Sequence, residues 1–269
     1  MLYIVSTPIG NLADITFRAV DTLKSVDLIL CEDTRHTLVL LNKYGIKKPL
    51  KKYERFSEKS SLDNIVALLK DGSEIALVSD AGTPIISDPG SPLVVRLKEE
   101  GLAYTAVGGQ CAAINALVLS GLDASAFCFV GFLPERNTDR KKLISKCAGL
   151  PATLVFYIPP HSLAADIKFL SETLGKREAC LVREISKLYE EAVDFILPDL
   201  PENLTQKGEM VLVVKGADDK NPLCSGTVQE HCMHYIESGM DEKSAMKQTA
   251  SDRGISKSEV YAAVKIKKL

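Results

Sequence analysis

The sequence predicts an α/β protein: two α/β domains followed by a small C-terminal helical appendage. Short apolar runs alternate with amphipathic stretches over residues 1–216, as strands and helices do in α/β folds rather than in sandwiches or bundles. Of the 269 residues, 25% are charged and 46% hydrophobic, which excludes disordered, collagen-like and coiled-coil proteins. We expect domains at residues 1–121, 122–216 and 226–269.

The first domain is expected to alternate four strands with four helices. Its helices are predicted from apolar residues three or four positions apart, as at Leu62, Ile65 and Leu69. The helix at 112–119 is apolar on nearly all sides, so we expect it to lie buried between layers. In order, the elements are strand 2–6, helix 15–25, strand 28–31, helix 61–70, strand 74–78, helix 92–100, strand 105–107 and helix 112–119.

A second α/β set begins near Phe127. The expected elements are strand 153–157, helix 162–174, strand 179–183 and strand 210–215, with a polar segment at 135–142 that is a solvated loop or a helix start. Residues 216–225 are rich in Asp, Asn, Pro and Gly and predict a linker. Three helices follow near 227–238, 241–253 and 256–266; Ser256 and Glu259 predict a capping box on the last one.

The charge balance and the cysteines restrict the class of protein. With 33 basic and 35 acidic residues, the chain is not one that coats nucleic acid or anionic membrane by bulk charge, so any RNA contact must be a local patch. Neither a secretory signal nor an apolar run of membrane-spanning length is recognisable. The seven scattered cysteines fit a reducing compartment, and we expect a cytoplasmic protein.

Several standard catalytic signatures are absent. The sequence has no GxxxxGK[ST], GxSxG or HExxH motif and no GxGxxG after its first strand, which disfavours phosphoryl transfer, serine hydrolysis and the common dinucleotide site. The cluster of His231, Cys232 and His234 lacks a second ligand pair. We interpret it as a polar helix face and expect no metal.

The turns after four predicted strands carry the informative residues. They lie at 6–11, 31–36, 80–90 and 107–113, and they combine Pro, Gly and other small residues with carboxylates and one guanidinium. In an open α/β sheet, ligands bind outside the carboxyl ends of the strands. Any one of these turns could be purely structural, but four at one edge of a sheet predict a crevice for a flat, polar, nucleoside-like ligand.

Four motifs then carry a family resemblance. STPIGNLADIT (6–16), EDTRHT (32–37), SDAGTPIISDPG (79–90) and KGEMVLVV (207–214) resemble the RsmI group of the tetrapyrrole methylase superfamily. The enzymes of this group use S-adenosyl-L-methionine to methylate a cytidine ribose 2′-hydroxyl in 16S ribosomal RNA of the small ribosomal subunit. The resemblance covers residues 1–216 and extends to the appendage.

The resemblance implies a tetrapyrrole-methylase-like fold, with the S-adenosyl-L-methionine cleft between the two α/β domains, in a homodimer that acts on 16S rRNA in the small subunit and does not bind membranes. Transferred position by position, it also implies the cofactor contacts. They are Pro8, Asp80, Ala81, Gly82, Thr83, Ile86, Cys111, Ala112, Tyr157 and Ile158.

Methyl transfer to a ribose hydroxyl is an in-line displacement that depends on positioning and on a group that takes the proton or stabilises the oxygen. Charged residues at predicted strand ends are the candidates, with no single assignment among them. They are Glu32, Asp33, Arg35, Glu184 and Lys187. A salt-bridge network between loops or across the dimer is the alternative interpretation of the same charges.

Three motifs depart from the family pattern. The family's PGPCA is GGQCA at 108–112, its FYESPHR is FYIPPHS at 156–162 and its YHEHNE is YERFSE at 53–58, whereas REISK at 183–187 keeps the charges of RELTK. These changes motivate one alternative function, a cofactor-binding paralogue with reduced activity. A methylase of a tetrapyrrole-like small molecule is the other.

Two cationic segments are the candidate RNA contacts and speak against the tetrapyrrole alternative, because a macrocycle enzyme has no use for them. Either segment alone could be ordinary solvated surface. Their cations are Arg136, Arg140, Lys141, Lys142 and Lys146 in the first, and Arg253, Lys257, Lys265, Lys267 and Lys268 in the second.

Overall fold

The computed structural model describes residues 1–53, 59–88, 90–201, 203–218 and 222–265. The chain divides into two compact units, Met1–Gly216 and Ala217–Leu269. Residues 54–58 of the departing motif at 53–58 and the tail residues Lys267 and Lys268 lie outside the described residues.

The first sheet is entirely parallel. Its strands are β1 (Leu2–Val5), β2 (Leu28–Cys31), β3 (Leu50–Lys52), β4 (Ile75–Leu77) and β5 (Tyr104–Val107), in the order β3-β2-β4-β1-β5. The helices that alternate with them are α1 (Phe17–Ser25), α2 (Thr34–Lys43), α3 (Lys59–Lys70), α4 (Ser91–Glu99) and α5 (Ala112–Leu119). Since all strands run the same way, their carboxyl ends meet at one edge, where the predicted ligand-binding turns lie.

The second sheet is mixed. Its strands are β6 (Phe127–Phe132), β7 (Thr153–Ile158), β8 (Glu178–Arg183), β9 (Glu191–Ile196) and β10 (Met210–Val214), in the order β6-β7-β10-β8-β9. Only β6 and β7 pair in parallel; the other neighbours are antiparallel. Helices α6 (Asn137–Cys147) and α7 (Leu163–Leu174) cover one face through a core that includes Ile144, Phe156 and Leu170.

Helix α5 joins the two domains of the first unit. Ala113, Ala116 and Leu117 pack against the second sheet, in a cluster that also contains Val155. The opposite side is exposed: Val118 is 71% accessible. The prediction that this helix lies buried between layers was therefore wrong, because a uniformly apolar sequence does not show which side another element covers.

The sequence missed several elements for physical reasons. Helix α2 begins at a polar turn, β3 is only three residues long and contains two lysines, and β9 is an edge strand in which Phe195 is the one buried residue. The polar segment at 135–142 contains the start of α6, one of its two predicted forms. These elements carry little apolar periodicity, which is the signal on which prediction from sequence depends.

The second unit consists of helices α8 (Val228–Glu237), α9 (Glu242–Arg253) and α10 (Lys257–Lys265), preceded by a short 3-10 turn. The predicted capping box is confirmed: the Ser256 N–H and hydroxyl donate to Glu259 Oε2, both at 2.7 Å, and the Glu259 N–H donates to Ser256 Oγ at 3.3 Å. No helix within the described residues has the length and apolar character needed to cross a membrane.

Candidate active site

Hydrogen bonds tie the strand-end loops of the first sheet together. Thr7 and Gly82 exchange both backbone hydrogen bonds, at 2.8 and 3.1 Å, which joins the loop after β1 to the loop after β4. The Thr83 hydroxyl donates to the Gln110 carbonyl at 3.3 Å and lies 3.1 Å from Ser6 Oγ, which adds the loop after β5. The loops therefore form one connected rim.

A cavity of about 390 Å³ opens between this rim and the second sheet. All the predicted cofactor residues except Pro8 line it. From the first domain these are Asp80, Ala81, Gly82, Thr83, Ile86, Cys111 and Ala112, and from the second Tyr157 and Ile158. Pro8 faces a neighbouring cavity instead, which also has the loop after β1 in its wall.

The sequence missed several residues of this cavity. Outside the predicted turns they are Phe132, Pro159, Pro160, Gly208, Glu209, Met210 and Val211, and inside them Ile9 and Ser87; Asp88, expected to contact the ligand or to organise its loop, also lines the cavity. Gly208–Val211 belong to the KGEMVLVV motif, which contributed to the resemblance but was given no role. An antiparallel partner places the start of β10 beside the end of β7, where Met210 pairs with Ile158. That pairing could not be inferred from the sequence, because the two segments are more than fifty residues apart.

Tyr157 forms an aromatic wall of the cavity. Its ring meets Phe129 and Phe132 edge-on, with centroids 5.0 and 5.3 Å apart. Burial, followed by the nearby Cys111 and the carboxylates Asp88 and Glu209, raises the pKa of Tyr157 to about 12. The phenol is therefore neutral at physiological pH and can donate a hydrogen bond into the cavity.

Asp80 connects the loop after β4 to the loop after β2. Its Oδ1 accepts the Asp33 N–H at 3.1 Å, and its Oδ2 lies 3.5 Å from His36 Nδ1. Asp80 lines both cavities, so its carboxylate stands at their common boundary.

Three catalytic candidates of the first domain lie away from the cavities. Glu32, Asp33 and Arg35 line neither the first cavity nor the neighbouring one that Pro8 faces. Asp33 caps α2, and hydrogen bonds from the Arg35 side chain and N–H hold the pKa of its carboxyl well below its usual range. Arg35 is 87% exposed. For Asp33 and Arg35 this arrangement matches the salt-bridge alternative.

The other two candidates form an ion cluster with Glu209. Lys187 Nζ lies 3.0 Å from Glu184 Oε1 and 2.9 Å from Glu209 Oε2, and Glu184 Oε1 also accepts the Glu209 N–H at 2.9 Å. Burial pushes the pKa of Glu184 up, but the hydrogen bonds from Glu209 and Lys187 lower it overall. Burial likewise lowers the pKa of Lys187, whereas the two carboxylates raise it overall. Glu184 and Lys187 are therefore both charged at neutral pH.

Two glycines accommodate this cluster. A Cβ on Gly208, which has φ +85°, would collide with the Glu184 carboxylate, and a Cβ on Gly10 would lie 2.6 Å from Lys187 Cγ. The Lys187 stem thus passes directly over the loop after β1. Lys187 and Glu209 line a second cavity of about 500 Å³, whereas Glu184 lies behind them.

The GGQCA loop is held by hydrogen bonds where the family pattern has prolines. Besides the Thr83 contact to its carbonyl, Gln110 accepts the Asn115 side-chain N–H at 2.6 Å through Oε1. Gly109 packs so closely that a Cβ would lie 2.8 Å from Ser6 Cβ. The departure from the family pattern therefore replaces one source of rigidity with another.

Two predicted RNA-facing cations point inward. Arg140 Nη1 binds Asp166 Oδ1 at 2.8 Å, and its side chain is only 16% exposed. Arg253 donates to His231 Nδ1 at 3.0 Å and to the carbonyl of Leu223 at 2.8 Å. The interpretation of these two as RNA contacts was wrong, because a planar guanidinium satisfies buried acceptors as readily as phosphates. Exposed cations of the two segments within the described residues are Arg136, Lys141, Lys142, Lys146, Lys257 and Lys265.

The described residues contain no group of three or more His, Cys, Asp and Glu side chains arranged to hold a metal ion. His231 is buried between Arg253 and Asp252, whose Oδ2 lies 3.2 Å from His231 Nε2. Burial, followed by the charge of Arg253, lowers the pKa of His231. It is therefore a neutral core residue of the second unit.

Known proteins resemble this chain in sequence. A model of the family described as tetrapyrrole (corrin/porphyrin) methylases matches residues 1–216. The chain is 41% identical to the ribosomal RNA small subunit methyltransferase I of Bacillus subtilis strain 168, over 99% of this chain and 94% of the relative. It is 45% identical to the protein of the same name from Haemophilus influenzae, over 80% of this chain and 78% of the relative.

Solved structures resemble it in fold. Uroporphyrin-III-C-methyltransferase of Thermus thermophilus aligns over 80% of this chain and 93% of its own, with a TM-score of 0.55 and 22% identity. A diphthine synthase aligns over 80% and 89%, with a TM-score of 0.62 and 15% identity. The predicted tetrapyrrole-methylase-like fold is confirmed. The chain belongs to the tetrapyrrole (corrin/porphyrin) methylase family and, within it, to the group of ribosomal RNA small subunit methyltransferases I.

Proposed function

We propose that this protein is an S-adenosyl-L-methionine-dependent methyltransferase that methylates the 2′-hydroxyl of a cytidine ribose in 16S rRNA of the small ribosomal subunit, in the cytoplasm. The observation that carries the proposal is the agreement of two independent facts. The chain shares its length and over two fifths of its residues with small-subunit rRNA methyltransferases, and three of the four motifs that carry the resemblance contribute residues to a single cavity.

The residues of the first cavity fit S-adenosylmethionine. Its volume of about 390 Å³ is suited to a nucleoside-sized ligand. Ile9 and Ile86 offer apolar surface to a base, and the carboxylates of Asp80 and Asp88 suit ribose hydroxyls and an ammonium or sulfonium group. When bound, S-adenosylmethionine supplies a methyl group on a positively charged sulfur, which makes that methyl electrophilic.

The protein's own residues would orient the reactants and exclude water. Neutral Tyr157 can donate a hydrogen bond from an aromatic wall, while Asp80 connects the loop after β4 to the loop after β2. Since the sulfonium is a good leaving group, holding the acceptor hydroxyl in line supplies most of the acceleration. The carboxylates at the rim stabilise the positive charge before transfer and can take the proton afterwards.

The RNA would be held by the exposed cations of α6. Arg136, Lys141, Lys142 and Lys146 are exposed on this helix or at its start, whereas the overall charge is nearly balanced. Phosphate contacts of this kind position RNA without selecting its sequence. Selection of the cytidine then falls to the site itself.

The proposed homodimer would use the outer side of α5. Ile114, Val118 and Leu119 are 42%, 71% and 41% exposed on this helix, whose other side forms part of the core. Apolar side chains grouped in this way on a protein surface mark interaction sites. A second copy of the chain would cover them.

Labelled S-adenosylmethionine tests the function. The protein is incubated with the label and small ribosomal subunits from a strain that lacks this methylation, and in parallel with porphyrinoid macrocycles. We expect label in the rRNA and none on the macrocycle. Label on the macrocycle alone would establish the small-molecule alternative, and cofactor binding without transfer to either acceptor would establish the inactive paralogue.

A further inference from the structure

The two cavities of the first unit share a wall. Ile9, Asp80, Ala81 and Glu209 line both of them. The first cavity holds the residues expected at the cofactor. The second, of about 500 Å³, is bounded by the loop after β1, by α2 and by the Lys187–Glu209 ion pair, and of the predicted cofactor contacts only Pro8 lines it without lining the first.

The lining of the second cavity suits a nucleotide rather than a purely apolar group. His36 and Lys187 contribute cationic or hydrogen-bonding groups, and Val39 and Leu40 contribute apolar surface from α2. A ribose presents hydroxyls, a base presents an apolar face and a phosphate presents negative charge. The polar side chains of the second cavity can therefore contact the ribose and phosphate of a nucleotide, and its apolar side chains can contact the base.

Glu209 stands where the cavities meet. Its side chain is 69% exposed, and Oε2 is held at 2.9 Å by Lys187 Nζ. Within the described part of the chain, no hydrogen bond to its Oε1 is present. Glu184 accepts both the Glu209 N–H and the Lys187 ammonium, so the backbone and the counter-ion of Glu209 are fixed together.

We propose that the second cavity binds the acceptor nucleotide and that Glu209 accepts the proton of its ribose hydroxyl at the wall shared with the cofactor cavity. This inference rests on the proposed function. The hydroxyl oxygen forms a bond to the methyl carbon as the carbon–sulfur bond breaks, the electron pair of that bond stays on sulfur, and the hydroxyl proton passes to a Glu209 carboxylate oxygen.

A carboxylate is basic enough for this step. The O–H bond becomes strongly acidic as the oxygen takes up the methyl group, so proton transfer late in the reaction needs only a weak base in the right place. Lys187 holds the carboxylate in place at 2.9 Å through Oε2.

Substitutions of Glu209 test the proton-transfer step in the full-length protein. Glu209→Gln keeps the shape of the side chain and removes the base, so kcat for methylation of small subunits should fall by about 100-fold or more. Calorimetric Kd for S-adenosylhomocysteine and filter-binding Kd for the subunit should both stay within about twofold. Glu209→Asp, which keeps a carboxylate, should recover part of the activity. The matched control is Glu172→Gln, which makes the same change at an exposed position of α7 and should leave kcat unchanged.

Val39→Trp tests the cavity itself. Val39 is 59% exposed and lines only the second cavity of the two, so the change should fill this space without disturbing the core. The subunit should bind about 10-fold more weakly in the presence of S-adenosylhomocysteine, whose own affinity should not change.

The outcomes separate this inference from the proposed function. If the unaltered protein methylates small subunits but Glu209→Gln keeps its kcat, Glu209 is not the proton acceptor. If Val39→Trp binds subunits normally, the second cavity is not the acceptor site. If the unaltered protein transfers no methyl group to the subunit, the proposed function fails and this inference fails with it.

Discussion

At the scale of single residues, Asp80 is the side chain that connects the loop after β4 to the loop after β2. We expect Asp80→Ala to weaken S-adenosylmethionine binding by about 10-fold or more, because it removes a carboxylate from the cavity and frees the Asp33 N–H that orders the loop after β2. Calorimetry measures the affinity, with Asp21→Ala, an exposed change on α1, as control. Equal affinities for both variants would contradict this role.

Tyr157 predicts a pH dependence of stability. The folded chain keeps the phenol proton up to a pKa of about 12, whereas the unfolded chain loses it near the model-peptide value of 10.0. Its contribution is complete below pH 10 and is lost as the pH rises towards 12. Between pH 10 and 12 the free energy of unfolding should therefore fall less steeply with pH in Tyr157→Phe than in the unaltered protein. The difference in slope should be up to about 1.4 kcal/mol per pH unit. Urea denaturation at pH 9, 10 and 11 measures it, and parallel curves for the two proteins would be evidence against it.

At the scale of elements, the Arg140–Asp166 pair fastens α6 to α7. Asp166 is 2% exposed and also accepts the Ser162 hydroxyl at 2.6 Å, so removing Arg140 leaves a buried carboxylate without its counter-ion. Arg140→Leu should lower the free energy of unfolding by about 3–5 kcal/mol. Lys141→Leu, an exposed change on the same helix, should alter it by less than about 0.5 kcal/mol. Denaturant unfolding compares the two variants. A small effect of Arg140→Leu would contradict this structural role and leave Arg140 as a candidate RNA contact.

Sequence reasoning succeeded for elements whose position follows from local pattern. The strand ends after β1, β2, β4 and β5 were predictable because parallel strands share their carboxyl edge, and three of these four loops meet in the cofactor cavity. The position of Glu209 could not be predicted, because it depends on the pairing of β10 with β7 and β8. Arg140 was misassigned because burial of a guanidinium depends on the acceptor opposite it, which a charge run does not reveal.

At the scale of the whole molecule, the outer side of α5 predicts the oligomeric state. Val118→Glu should convert a homodimer into a monomer, because it places a charge in the middle of an apolar contact. Val95→Glu, on the 54% exposed position of α4, should leave the dimer intact. Sedimentation velocity distinguishes them. A monomeric unaltered protein, or a Val118→Glu variant that stays dimeric, would exclude this side as the interface.

The near-balanced charge of the molecule limits how it holds RNA without preventing it. A few exposed cations on α6 are enough to contact the phosphates of a large RNA particle. We expect the methyl transfer itself to take place in the first unit. Methylation of a ribose and methylation of a base give different nucleoside products.

Nucleoside mass spectrometry of the methylated rRNA tests this central claim most directly. Small subunits lacking the modification are incubated with the protein and S-adenosylmethionine, and the RNA is digested to nucleosides. The account predicts 2′-O-methylcytidine, formed by the unaltered protein and lost when Ala112→Leu narrows the cofactor cavity. A methyl group on a base, on another nucleoside, or nowhere in the RNA would contradict it.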